Sequence, residues 1–140
     1  MIVLDTNVVS ELYKPIVAAP VAAWFSVQPK RSIYVCAPVM AEVRYGVVKL
    51  PPGRKRDLLA ARYARIVDEF RSQIFSFDLR AAEAFAELLV ARAAAGAPIQ
   101  PNDAQIAAIA KARNAAVATR DISDFSGCGV ALIDPWAHAG

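Results

Sequence analysis

Five short apolar runs punctuate the chain: IVL (2–4), SIYVCAP (32–38), IFSF (74–77), AAVAT (115–119) and VALID (130–134). Runs this short and continuous fit strands buried on both faces. Between them lie segments with helix signals, and strands that alternate with helices require a layered α/β fold on a mainly parallel sheet with right-handed crossovers. Helices are expected over 6–13, stopping before Pro15, over 21–27 after Pro20, and over 39–50 behind Pro38. PPG (51–53) breaks that last helix, and 54–71 forms the next. Asp78 is placed to cap a helix over 79–95 whose core face would be Leu79, Ala82, Phe85 and Leu89, and Gly96 closes it. PND (101–103) opens an alanine-rich helix, 104–114, able to pack close to a sheet. RDISDFSGCG (120–129) reads as a loop.

A chain of 140 residues with 56% hydrophobic content can bury a real core as one domain, 1–140, without metal or disulfide staples. Cys36 and Cys128 stand far apart and fit a reducing compartment better than a disulfide framework. Asp5 interrupts the first apolar run, no leader pattern is visible, and no uncharged stretch is long enough to span a bilayer. A soluble cytoplasmic protein is expected. The net charge of +3 is permissive for nucleic acid. Residues 49–71 hold seven of the basic residues against three acids, which fits either a solvated helix face or a surface that meets phosphates.

The chemistry available is narrow. The single histidine, His138, lies near the C-terminus, which argues against Ser–His–Asp, Cys–His and His-rich zinc chemistry. No Walker loop or dinucleotide fingerprint is present. Carboxylates remain, and ligands of open parallel sheets bind outside the carboxyl ends of the strands. Asp5 ends the first strand, and Asp121 lies two residues past the fourth. Glu42 lies about a turn into the helix after the second strand, and Asp103 opens the helix before the fourth. All four can converge on one crevice, and Asp124 is near enough in sequence to join them. Each also has a structural explanation: Asp5 as a helix cap, Asp103 as a dipole partner, Asp121 as a turn residue, and Glu42 against apolar surface paired with Arg44 or Arg120. Asp78 and Asp134 end strands too, but as a cap and a turn residue they stay outside the site. Converging acids repel, and a divalent cation removes that cost. All-oxygen ligands favour Mg2+ or Mn2+ and phosphodiester hydrolysis.

LDTNVVSEL (4–12), APVMAEVRYGV (37–47), PNDAQIAAIA (101–110), ATRDISDF (118–125) and LIDPW (132–136) together resemble the PIN-domain ribonucleases, within them the VapC toxins of VapBC-type toxin–antitoxin pairs, nearest the FitB-like branch. The resemblance implies a three-layer α/β/α fold with a short parallel five-stranded sheet. It implies that Asp5, Glu42, Asp103 and Asp121 hold Mg2+ or Mn2+, with Asn7 and Thr119 as polar neighbours and Asp124 as a secondary acid. It further implies cleavage of RNA, commonly transfer or ribosomal RNA, with inhibition of translation. Such toxins form homodimers and higher assemblies with a small VapB- or FitA-like antitoxin, through which alone they meet operator DNA. Competing readings are an Asp-nucleophile phosphatase, which lacks its D-x-D because position 7 is Asn, a phospho-accepting receiver, and a catalytically silent interaction module.

Overall fold

The computed structural model describes residues 1–140. Its strands are β1 (Ile2–Leu4), β2 (Ile33–Cys36), β3 (Ile74–Phe75), β4 (Ala116–Ala118) and β5 (Leu132–Ile133). They form one all-parallel sheet in the order β3-β2-β1-β4-β5. β1 spans its whole apolar run, and the other four strands are shorter than theirs, because pairing covers only part of each run. The helices are α1 (Thr6–Leu12), α2 (Ala19–Ser26), α3 (Ala37–Val48), α4 (Arg54–Glu69), α5 (Leu79–Ala94), α6 (Pro101–Ala112) and α7 (Ile122–Phe125). Pro20, Pro38 and Pro101 all lie in the first turn of their helices, where the missing N–H costs nothing. No helix is long and apolar enough to cross a membrane.

The strand order has a functional consequence. From β1 the chain steps one way, to β2 and β3, and after β4 it steps the other way, to β5. With right-handed crossovers, α1–α4 cover one face of the sheet and α5–α7 the other, giving three layers. The order reverses between β1 and β4, which leaves a crevice at the carboxyl ends of those two strands. The pair is in register through Ile2–Ala116, Val3–Val117 and Leu4–Ala118, and the Asp5 N–H continues the ladder by donating to the Ala118 carbonyl at 2.9 Å.

Alanine shapes the second face. Ala104, Ala107, Ala108 and Ala110 of α6 are fully buried, so this helix packs closely on α5 and on the strands. Its amino end is thereby drawn to the crevice.

Two expectations require correction. The core face of α5 is Ala81, Leu88 and the buried Arg92, with Phe85 and Leu89 partly buried, whereas Leu79 is 74% exposed. Asp78 caps the helix by accepting from Ala81 N–H at 3.0 Å, which puts Leu79 in the first position, pointing off the end. Residues 120–129 are not all loop: the single turn α7 forms because Phe125 inserts into the core. Arg92 braces the segment behind it, donating to the carbonyls of Ala97, Asp124 and Ser126. Replacing Asp78 by Ala removes the cap and should cost about 1 kcal/mol in urea denaturation. Its ion pair with Arg113, at 3.5 Å and two-fifths exposed, adds little.

Candidate active site

Asp5 occupies the cap position of α1, but its carboxylate is not spent on capping. A cap ordinarily accepts from the second or third helical N–H. Here Asp5 Oδ1 accepts from the first, Thr6 N–H, at 2.7 Å, and Oδ2 accepts from the Thr119 hydroxyl at 2.8 Å. The side chain is thus turned across the crevice towards β4 and is 5% exposed. Thr119, fully buried, also accepts from Asp121 N–H at 3.0 Å, so one hydroxyl joins the two acids. Asn7 completes the strap: its amide nitrogen donates to Asp121 Oδ2 at 3.1 Å, and its oxygen accepts from Arg120 N–H at 3.3 Å.

The other two acids come from helices on opposite faces of the sheet. Asp103 lies in the first turn of α6, and Glu42 half-way along α3. Glu42 is exposed at the mouth of the crevice, not packed on apolar surface. Neither expected cation pairs with it: Arg44 stacks on Tyr63 at 5.4 Å and Arg120 on Trp136 at 4.9 Å. Its partner is Asn102, whose amide donates to Oε1. The buried Thr6 hydroxyl faces Glu42 closely enough to favour its charged form, yet has no partner in full hydrogen-bond geometry. Thr6 and Asn102 escaped the sequence reading. Both directly adjoin acids that were read, Asp5 and Asp103, which was the available signal.

The acids lie close enough to feel one another's charge. None of the four ion pairs in the structure involves Asp5, Glu42, Asp103, Asp121 or Asp124. Burial pushes the Asp5 carboxyl up against the opposing hydrogen bonds from Thr119 and Thr6, and the charges of Asp121 and Asp124 add to the rise. Glu42 is raised by partial desolvation and by Asp5. Asp103 is pushed up to about 6, first by burial and then by Asp5, Asp124, Glu42 and Asp121. Carboxylates raised by burial and by one another's charge have the chemistry that suits a hard cation. No three of these side chains lie close enough together to enclose an ion by themselves. Both cysteines are free and buried, and burial pushes the Cys36 thiol, the one near the acids, up to about 12, so it does not compete as a thiolate nucleophile.

An acid-lined switch point in a short parallel sheet is where the family of the chain becomes plain: residues 2–126 match the PIN domain, and the chain belongs to that family. Its relatives run its full length. It is 37% identical to "VapC ribonuclease Y4jK" of Sinorhizobium fredii over 99% of this chain and 100% of that one. It is 36% identical to "Toxin FitB" of Neisseria gonorrhoeae over 97% and 99%. Among solved structures, FitAcB from Neisseria gonorrhoeae superposes with a TM-score of 0.90 at 36% identity, covering 98% of this chain and 99% of that one. FitAB bound to an IR36 DNA fragment gives 0.89 at 36% identity, over 97% and 96%.

Proposed function

We propose that this chain is a divalent-metal-dependent endoribonuclease and the toxin of a toxin–antitoxin pair. The observation that carries the reading is the set of carboxylates at the β1/β4 switch point that pair with no Lys or Arg, in a chain related end to end to VapC- and FitB-type toxins. Asp5, Asp121, Asp103 and Glu42 would hold Mg2+ or Mn2+, directly or through water, with Asp124 as an outer acid. When bound, the ion neutralises charge on the phosphate and lowers the pKa of an attacking water. The chain supplies the rest. Thr119 and Asn7 lock Asp5 and Asp121 in place across the two strands. Asp103 and Glu42, approaching from α6 and α3, orient the water for in-line attack. The phosphorus–O3′ bond breaks, leaving 5′-phosphate and 3′-hydroxyl ends.

The same kinship supports the partners. A small VapB- or FitA-like antitoxin would cover the site, and operator DNA would be contacted through the antitoxin. The toxin would act as a homodimer within larger assemblies when neutralised. Inhibition of translation through transfer or ribosomal RNA is the corresponding cellular effect, in the cytoplasm. The test is incubation of the purified, antitoxin-free protein with labelled total RNA, with magnesium or manganese and with chelator. Metal-dependent cuts bearing 5′-phosphates are expected, and sequencing the ends names the target. Products ending in 2′,3′-cyclic phosphates would refute a water nucleophile.

A further inference from the structure

Beside the acids lies a cleft that the proposed chemistry leaves unused. It is formed by α1, α3 and α4 and encloses about 270 Å3. Thr6 and Glu42 line it, so it opens directly off the acid centre. Val9, Val47 and Ile66, all buried, give it an aliphatic floor. Two cations stand at its edge. Lys14 is committed to Glu11 at 2.9 Å. The Arg62 guanidinium, like those of Arg54 and Arg56, takes part in no ion pair, side-chain hydrogen bond or aromatic stack, and of these three it is the one that lines the cleft. Gly46 leaves the α3 wall bare, with nothing within 4 Å of where a Cβ would stand. Glycine inside a helix lowers stability relative to alanine, and open space at this wall is a functional reason for it.

We propose that this cleft receives the nucleotide adjoining the scissile bond, its base on the aliphatic floor and its phosphate on Arg62. The inference rests on the ribonuclease reading. A nucleotide needs an apolar surface for a flat base and a guanidinium for an anion, and the cleft offers both in continuity with the site where the neighbouring phosphate would react. An apolar peptide would match the floor but would leave the guanidinium unanswered.

Gly46→Ala, Gly46→Leu and Gly46→Phe fill the cleft in steps. Gly46 is helical and its surroundings are open, so the fold should survive, as read by Tm. Wild type, Asp5→Asn, the Gly46 series and Arg62→Gln are compared on one RNA. KM should rise with side-chain size, by about tenfold or more at Phe, and the preferred cut positions should change. Arg62→Gln should raise KM about tenfold with kcat nearly constant, and reduce the salt dependence of binding by about one phosphate contact. A folded Gly46→Phe protein that cuts the same positions with the KM of wild type overturns the subsite while leaving the nuclease intact. Cleavage absent in wild type, or equal in wild type and Asp5→Asn, overturns the nuclease reading itself and the subsite with it.

Discussion

Asp5→Asn should yield a folded protein whose metal-dependent RNA cleavage falls by at least about 10²–10³-fold, the range for removing a main electrostatic element of an active site. The asparagine is isosteric and can still accept from Thr6 N–H or from Thr119. What it loses is the charge, and in the metal-free protein that charge is a burden. Asp5 is buried, its carboxyl is raised by desolvation, and Asp121 and Asp124 repel it. In chelator the variant should therefore melt at or above the wild-type temperature. With saturating magnesium or manganese the order reverses, because a ligand that binds only the folded state adds stability in proportion to its affinity, and only wild type retains the full acid set. Thermal melts with and without metal, run beside the cleavage assay, separate these effects. A variant that is destabilised in chelator would mean that Asp5 is a structural cap after all. One that cleaves at the wild-type rate would remove Asp5 from the reaction.

Asp5 also shows how far the sequence could be read. Its position at a strand end, the alternation of elements and the lack of other chemistry led to the expectation of four acids near one crevice, and the β1–β4 pairing sets the strand ends next to Asp5 and Asp121 side by side. The reading failed where tertiary contacts override local pattern. Glu42 looked buried because its sequence neighbours are apolar, but on α3 only Val39, Met40 and Val47 of those neighbours are buried, while Glu42 is exposed together with Ala41 and Tyr45. Leu79 looked like core by periodicity, but the Asp78 cap fixed the helix phase otherwise. Arg92 is buried with its charge answered by carbonyls from residues 97, 124 and 126, a cage that no local pattern announces. The cleft beneath Arg62 and Gly46 depends on how three helices meet, so the basic character of residues 49–71 was legible and which of its cations would line the cleft was not.

The acids should also reverse the usual dependence of stability on pH. The Asp103 carboxyl rises from 3.8 to about 6 in the folded protein, and Asp5 and Glu42 shift in the same direction. A carboxyl with a raised folded pKa binds its proton more tightly in the native state than in the unfolded one. Its contribution is therefore complete below the unfolded pKa and is lost as pH rises through the folded value. Glu11 acts oppositely: its hydrogen bond to Lys14 lowers its pKa below 4.5, so its contribution is lost only in more acidic solution. Between about pH 4.5 and 6.5 the crevice acids thus dominate, and in chelator the urea midpoint should fall as pH rises, by up to about 1.4 kcal/mol per pH unit for each proton involved. Divalent metal binds the deprotonated acids and expels those protons, so in millimolar magnesium the same interval should show stability level or rising with pH. Asp103→Asn should flatten the chelator curve because it removes a partly buried carboxyl that is pushed up to about 6. Kinetics should follow the same competition: at subsaturating metal, cleavage rises with pH, and its midpoint moves lower as metal is added. A chelated wild-type protein that gains stability steadily from pH 4.5 to 6.5 would show that these carboxylates do not repel one another in solution, and the physical case for a shared cation would go with it.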